Sequence, residues 1–152
     1  MHPMLTLEAR VAIDDLYAHF ADAVARRCAD DLRPLFAADA TVEGPIEAPR
    51  TGVDAIVASM ATGFTRWDVL LLVPQSLLVL DGDDSTVHTR WYVSEIGRLD
   101  GDDVLYSGVY HDELTRDAGG WQFARRSFDL LYARTGTGSL VPPFPAALDR
   151  RS

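Results

Sequence analysis

Three acidic clusters that contain glycine divide the second half of this sequence into four segments of similar length. The clusters cover residues 81–84, 100–103 and 117–120. The segments cover residues 69–80, 85–99, 104–115 and 121–132. Apolar residues recur along these segments with the period of two that is typical of β-strands. Because links this short cannot form the long crossover that parallel neighbours need, the sequence predicts an antiparallel meander of four strands.

The first half of the sequence follows the period of a helix instead. Residues 7–27 carry one apolar stripe, which predicts a long first helix. Asp30 and Asp31 can cap a short second helix, since an aspartate side chain accepts hydrogen bonds from the free amide groups at a helix start. A brief strand is expected at residues 41–43, and a third helix follows Gly52. Three helices therefore precede the meander.

The length of the chain suits one domain. With 152 residues, of which 47% are apolar, the chain can bury one sizeable core, so we expect a single domain over residues 1–152. A long meander curls, and helices on its concave side complete an α+β cone with a core over residues 7–133. The tail, residues 134–152, is rich in glycine and proline, and we expect it to run irregularly over the surface or onto a neighbouring subunit.

The charge of the chain argues against two classes of partner. Fourteen basic against 23 acidic residues give a net charge of −9, which opposes binding to nucleic acid or to an anionic membrane. No stretch approaches the roughly 20 apolar residues that span a bilayer. Cys28 is the only cysteine, and the N-terminus lacks the pattern of a signal peptide. We therefore expect a cytoplasmic protein.

Several short motifs occur in an order that is typical of one family. They are Ala12-Ile13-Asp14-Asp15-Leu16-Tyr17, Leu35-Phe36-Ala37-Ala38-Asp39-Ala40, Asp81-Gly82-Asp83, Gly108-Val109-Tyr110-His111-Asp112 and Gly120-Trp121. On these motifs the chain, from about residue 8 to residue 132, resembles the SnoaL-like branch of the NTF2-like superfamily. That group includes scytalone dehydratases and hexachlorocyclohexane dehydrochlorinases. The resemblance implies an α+β cone of three N-terminal helices on a curved antiparallel sheet, with lyase, isomerase or polyketide cyclase-like activities.

A register for the meander follows from its central turn. A two-residue loop at Gly101 and Asp102 would place Asp100 opposite Asp103. The resulting facing pairs are Val93 with Tyr110, Trp91 with Asp112, and Glu95 with Gly108. The predicted inner face also carries Leu70, Leu72, Arg126, Phe128 and Leu130. The predicted outer face carries His88, Arg90, Tyr92 and Ser94.

The proton-transfer residues of the resembled enzymes are not present at their expected positions. In those dehydratases and dehydrochlorinases, an aspartate near the end of the first helix and a histidine on the strand after the third helix form the acid/base centre. The corresponding positions fall on Ala25 and Leu70, which carry no titratable group. Proton abstraction by a histidine that an aspartate orients is therefore not available to this chain.

Three other polar positions suit proton transfer on an apolar molecule. The resemblance implies pocket positions for Glu95, Tyr110 and Arg126. A carboxylate inside an apolar cone has a raised pKa and can act as an acid or base near neutrality, while a tyrosine or arginine can bind a developing oxyanion. We therefore assign Glu95, Tyr110 and Arg126 as catalytic candidates. Candidates for substrate binding are Tyr17, Phe20, Val42, Met60, Trp67, Leu70, Trp91, Val93, Asp112 and Phe128.

Three classes of function remain open at this stage. The first is a metal-independent and cofactor-independent lyase or isomerase of small hydrophobic molecules, since no histidine has the spacing of a metal ligand. The second is a non-catalytic binder, because Ala25 and Leu70 occupy the acid/base positions. The third is an accessory protein that binds a partner through its outer face. Arg126 paired with Glu95 or Asp112 would be a structural ion pair. An aromatic outer face and a proline-rich tail also predict a homo-oligomer, a dimer or trimer.

Overall fold

The computed structural model describes residues 5–44 and 48–136, in which three helices pack on a curved sheet of six strands. The helices are α1 (Leu7–Arg26), a 3-10 helix (Ala29–Leu35) and α2 (Val53–Phe64). The strands are β1 (Phe36–Glu43), β2 (Arg50–Thr51), β3 (Trp67–Gly82), β4 (Thr86–Leu99), β5 (Asp102–Asp117) and β6 (Gly120–Thr135). The predicted α+β cone is confirmed. Most of the predicted tail lies outside the described residues.

Local signals in the sequence fix the ends of α1. The side chain of Thr6 accepts a hydrogen bond from the amide of Ala9 at 3.1 Å, which satisfies one of the free donors of the first turn. Arg27 ends the helix in a left-handed conformation with φ of 56°. The apolar stripe between these ends is buried in the core. Within the described residues, no helix is long and apolar enough to cross a membrane.

The sheet has the strand order β2-β1-β6-β5-β4-β3. Strands β3 to β6 form the predicted antiparallel meander. The sheet as a whole is mixed, because β1 pairs with β6 in parallel, with Thr41 opposite Arg125 and Val42 opposite Arg126. Strand β1 begins at Phe36, earlier than the brief strand that the sequence predicts, and β2 adds a short antiparallel edge.

The register of the central hairpin differs from the predicted one by two residues. The loop residues are Asp100 and Gly101, which both have positive φ angles, 51° and 88°, so the turn has the backbone signs of type I′. Leu99 therefore pairs with Asp102. The observed pairs are Val93 with Gly108, Trp91 with Tyr110, and Glu95 with Tyr106. Because a shift of two residues is one full pleat, each side chain remains on its predicted face.

The predicted faces are mostly confirmed by burial. Leu70, Leu72 and Arg126 are buried on the inner face, and Phe128 packs against the core. Two residues are exceptions: Leu130, predicted inside, is 36% exposed, and Ser94, predicted on the outer face, is buried. The residues of β6 after Phe128 are exposed as far as Thr135. This end of the strand therefore extends beyond the elements that pack on the inner face.

Gly108 permits a close approach that shapes the inner face. A Cβ atom at this position would lie 2.2 Å from the ring of Phe128 and 2.5 Å from the backbone oxygen of Asp129. We expect Gly108→Ala to lower the free energy of unfolding by about 2 kcal/mol or more, because the ring and the backbone must both move. Gly63→Ala is the matched control. It lies in α2 with nothing within 4 Å of the added atom, so it should stabilise the fold by about 0.5–1 kcal/mol.

Urea unfolding of the two variants measures this difference. Equal midpoints for Gly108→Ala and wild type would show that Phe128 moves away without cost.

Candidate functional site

A buried ion pair occupies the inner face where β5 and β6 meet. Arg126 donates from Nε to Asp112 Oδ1 at 2.7 Å and from Nη2 to Asp112 Oδ2 at 2.8 Å. The hydroxyl of Tyr17 on α1 donates to the same Oδ2 atom at 2.7 Å and is also hydrogen-bonded to Thr89. Both side chains of the ion pair are sealed from solvent, with at most 2% exposure. The carboxylate of Asp112 is therefore fully engaged inside the protein.

Aromatic rings enclose the guanidinium of Arg126. Its Cζ atom lies 4.0 Å from the centre of the Phe123 ring, 4.1 Å from that of Tyr110 and 4.2 Å from that of Phe20. These distances are within the range of cation–π attraction. The Nη1 atom of Arg126 is buried and has no hydrogen-bond partner among the described residues. Arg126 thus holds the network of Asp112 and Tyr17 together and supports the ring of Tyr110.

Burial and charge shift the titration of this network. Burial, together with the negative charge of Asp112, raises the pKa of the Tyr17 hydroxyl far above its ordinary value. For Arg126, burial lowers the pKa, but the charge and hydrogen bonds of Asp112 outweigh this and the pKa remains raised. Neither group changes its protonation near neutral pH. Tyr17 and Arg126 are therefore fixed elements of the fold and not sources of protons.

Glu95 lies on the same inner face in a different environment. It is partly buried on β4, with Leu72 of β3 and Tyr106 of β5 as its neighbours across the sheet. Its carboxyl group has no hydrogen-bond or ion-pair partner in the described parts of the chain. Desolvation raises its pKa from 4.5 to about 7. Glu95 is therefore a carboxyl group that can both release and accept a proton at neutral pH.

Tyr110 completes the candidate site. Its ring packs 4.6 Å from that of Phe128 and 5.7 Å from that of Trp91, so its position is fixed. Burial raises the pKa of its hydroxyl, and the charge of Glu95 raises it further, while Arg126 opposes the rise. Glu95 and Tyr110 lie on the same face of the sheet, and the pair of Val93 and Gly108 separates their rows. The hydroxyl makes no hydrogen bond within residues 5–44 and 48–136, so it can donate to a ligand.

The structure does not gather all predicted binding residues around Glu95. Phe20 and Trp91 contact Tyr110, and Tyr17 contacts Trp91. Val42 pairs with Arg126 across the sheet, so it lies at the other end of the inner face, in the row of Asp112. The remaining candidates either are buried on the inner face or pack against the core from the edges and α2: Met60, Trp67, Leu70, Val93 and Phe128.

Sequence reasoning missed one member of this region. Tyr106 is the direct cross-strand partner of Glu95, the position that the predicted register gave to Gly108. Its ring meets that of Trp67 edge to face, with centres 6.4 Å apart. The signal that could have found it is the Asp100-Gly101 dipeptide, which is typical of a type I′ turn and fixes the true register.

The residues at the family acid/base positions remain apolar in the fold. Leu70 is buried on β3, and Ala25 lies on the last turns of α1. Among the described residues, no group of three or more histidine, cysteine, aspartate or glutamate side chains could hold a metal ion. Among the described residues of this inner face, Glu95 is the carboxyl group whose pKa is raised to about 7.

Removal of the Glu95 charge should reveal its cost to stability. The folded protein binds the proton of Glu95 more tightly than the unfolded chain does. The cost of an ionised Glu95 is thus absent below about pH 4.5 and grows as the pH rises to about 7. We expect Glu95→Gln to raise the free energy of unfolding by about 2 kcal/mol at pH 8 and to change it little at pH 5. Urea unfolding at both values measures this, with the exposed Glu8→Gln as the control. An equal effect at the two pH values would contradict the burial of the charge.

The sequence and the fold both identify the class of protein. The family model of the SnoaL-like domain matches residues 5–127, which is most of the chain. The chain belongs to the SnoaL-like family and has the NTF2-like fold. A search among curated proteins gave no significant match.

Several solved structures share this fold over nearly their whole length. A protein from Novosphingobium aromaticivorans, provisionally described as an aromatic ring hydroxylase, is 26% identical with a TM-score of 0.81, over 87% of this chain and 96% of that one. The hexachlorocyclohexane dehydrochlorinase LinA-type3 from Novosphingobium barchaimii is 23% identical with a TM-score of 0.81, over 90% and 97%. A provisionally described scytalone dehydratase from N. aromaticivorans is 20% identical with a TM-score of 0.79, over 93% and 96%.

Proposed function

We propose that this protein is a lyase or isomerase of a small hydrophobic molecule, of the dehydratase, isomerase or cyclase type, with Glu95 as its proton-transfer residue. The observation that carries the proposal is the carboxyl group of Glu95. It lies on the inner face with no hydrogen-bond or ion-pair partner among residues 5–44 and 48–136, and desolvation raises its pKa to about 7. The family membership and the dehydrochlorinase and dehydratase-like structural neighbours support this class of reaction.

The chemistry follows from the carboxyl group of Glu95 and the hydroxyl group of Tyr110. Glu95 as a carboxylate removes a proton from a carbon next to a carbonyl group, and the carbonyl oxygen accepts a hydrogen bond from the Tyr110 hydroxyl as negative charge develops on it. In an isomerisation, the protonated Glu95 then gives the proton to a second carbon that is conjugated with the enolate. In a dehydration, it gives the proton to the hydroxyl group, whose bond to carbon breaks as the enolate collapses to a double bond, and water leaves. Arg126 lies against the ring of Tyr110, stabilises its position and contributes positive potential without touching the substrate.

A second candidate function is binding without catalysis. The observation that favours it is the pair of apolar side chains, Ala25 and Leu70, at the positions where the resembled enzymes carry their acid/base residues. In that case the same inner face binds an apolar molecule, and Glu95 contributes only polarity. The two candidates differ in whether a bound molecule exchanges protons.

Hydrogen–deuterium exchange on a simple ketone distinguishes the two candidates. We expect the protein to catalyse deuterium incorporation at the α-carbon of α-tetralone in D2O, measured by mass spectrometry against a sample without protein. The catalysed rate should rise with pH through about 7 and then level, because the base must be ionised. Binding of α-tetralone without catalysed exchange would support the binder and contradict the enzyme.

A further inference from the structure

The outer face of strands β3 to β6 does not follow the pattern of a face that meets only water. A sheet that is covered on one side ordinarily alternates apolar residues inward with polar residues outward. Here the half of the outer face nearest the turn of Asp100 and Gly101 carries many apolar side chains. We call them the outer apolar patch: Leu71, Val73, Tyr92, Ile96, Leu105, Val109 and Tyr132. Leu71 is 39% exposed and Tyr132 is 52% exposed. An exposed apolar surface of this kind is typical of a site of association.

A charged row crosses the other half of the same face. Its four members are successive partners across β3, β4, β5 and β6: Asp81, His88, Glu113 and Arg125. The Nδ1 atom of His88 lies 2.6 Å from Asp81 Oδ1, and its Nε2 atom lies 3.3 Å from Glu113 Oε2. Only the imidazolium form donates from both nitrogens, so the charges alternate in sign along the row. Arg125 has no ion-pair partner among the described residues, and three strand spacings, about 14 Å, separate it from Asp81.

The charged row is complementary to a second copy of itself. A two-fold axis that runs along the strands, between β4 and β5, places β3 of one copy opposite β6 of the other, and β4 opposite β5. Asp81 then faces Arg125 of the second copy, and His88 faces Glu113 of the second copy. Each of these contacts occurs twice, so four pairs of opposite charge form. Arg125 thereby gains a carboxylate partner that its own chain does not offer it.

The same axis also matches the outer apolar patch with itself. It brings together three kinds of apolar pair between the copies: Ile96 with Leu105, Tyr92 with Val109, and Val73 with Tyr132. At the axis, Ser94 meets Ser107 of the second copy, and these short side chains allow the two sheets to approach closely. One row places two basic groups opposite each other, Arg90 and His111. Asp129 lies beside them, because its Oδ2 atom is 3.1 Å from His111 Nε2, so a carboxylate offsets this repulsion.

The size of this surface suits a stable dimer. Four strands about 4.8 Å apart and the five rows that begin at Leu71, Val73, Ser76, Leu78 and Asp81, about 6.8 Å apart, give about 650 Å² on each copy. Two copies therefore bury about 1,300 Å² in total. Specific and stable protein interfaces bury about 1,200–2,000 Å².

We propose that the outer face of β3 to β6 binds a second copy of this chain, face to face, about a two-fold axis between β4 and β5. The outer apolar patch stabilises the dimer, because burial of apolar surface is the main driving force of association. The charged row fixes the relative orientation of the two copies. The inference is independent of the proposed function, because the inner face, on which Glu95 lies, is outside the contact.

Exchange of the charges at the two ends of the charged row tests this pairing. Sedimentation equilibrium of the wild-type protein at micromolar concentration should give the mass of two chains. We expect Asp81→Arg to weaken the dimer about tenfold or more, because it sets like charges against each other at Arg125 of the second copy, and Arg125→Asp to do the same at Asp81. The combined variant, Asp81→Arg with Arg125→Asp, exchanges the two charges and should recover most of the lost affinity. Arg33→Asp reverses a charge of the exposed ion pair with Asp54 and is the control, which should keep the wild-type dissociation constant.

Three results would overturn the proposed dimer. A monomeric wild type would assign the outer face to another occupant, such as residues 137–152 of the same chain or a different protein. Single variants that are folded and keep the wild-type dissociation constant would show that the charged row lies outside any contact. A combined variant as weak as the single ones would exclude the two-fold axis between β4 and β5. Circular dichroism checks the fold of each variant. If Asp81→Arg fails to fold because it loses its contact with His88, Arg125→Asp still tests the interface, since Arg125 is exposed.

Discussion

Asp112→Leu is expected to lower the free energy of unfolding by about 3–5 kcal/mol, the cost of leaving a buried charge without its partner. The guanidinium of Arg126 would remain between the rings of Phe20, Tyr110 and Phe123, with its two hydrogen bonds to Asp112 lost. Tyr17 would lose one acceptor as well. A loss of this size is a large part of the stability of a domain. Urea unfolding measures it.

Two further variants make this expectation specific. Asp54→Ala removes one side of the exposed ion pair with Arg33 and should change the free energy of unfolding by less than about 1 kcal/mol. Asp112→Leu combined with Arg126→Leu should be less damaging than the sum of the single changes, because no charge is left unpaired. If Asp112→Leu alone cost no more than Asp54→Ala, Arg126 would have another partner, and its structural role would have to be abandoned.

Glu95→Gln is expected to lower the catalysed deuterium exchange of α-tetralone by about 10²-fold or more, the usual contribution of a positioned acid or base. Glutamine keeps the volume and polarity of the side chain but cannot accept the proton. The variant should also lose the rise in rate through about pH 7, because that rise belongs to the ionisation of Glu95. Tyr110→Phe should cost less, since it removes one hydrogen bond to the developing oxyanion and leaves the base in place.

Glu8→Gln is the matched control for this experiment, because Glu8 is an exposed carboxylate in the first turn of α1. It should keep the wild-type rate and pH profile. A Glu95→Gln variant with unchanged exchange would remove Glu95 from the mechanism, even if the stability of that variant rises at pH 8 as expected for a buried charge. The two measurements on one variant therefore separate a buried carboxyl group from a reactive one.

The layers of this fold could be predicted from the sequence because their signals are local. The acidic clusters at 81–84, 100–103 and 117–120 end the strands in the structure within a few residues, and the apolar stripe of α1 is the buried one. The parallel pairing of β1 with β6 could not be predicted, because it joins distant parts of the chain and no short turn connects the two strands. The exposure of Leu130 could not be predicted either, because it depends on where β6 extends beyond the elements that pack on the inner face.

The sequence predicts on which face of the sheet the candidate site residues lie, but it does not predict which of them are in contact. The period of two placed Glu95, Tyr110 and Arg126 on one side of the sheet, and an error of two residues in register preserves that side. It does not preserve neighbours, so Tyr106 was missed as the partner of Glu95. That Arg126 pairs with Asp112 and not with Glu95 depends on side-chain reach across strands, which the sequence does not encode locally.

The long-range contacts of the N-terminal helices bear on the order in which the chain folds. Each hairpin of the meander closes a short loop, whereas the contact of Tyr17 with Asp112 joins residues 95 positions apart. Long loops cost entropy before their contacts repay it, so the hairpins should form first and the N-terminal helices should dock afterwards. On the ribosome the order is reversed, since α1 emerges long before the strands that bury it. The apolar stripe of α1 is then exposed to solvent until β5 and β6 are complete, and we expect the nascent chain to be most prone to aggregation at that stage.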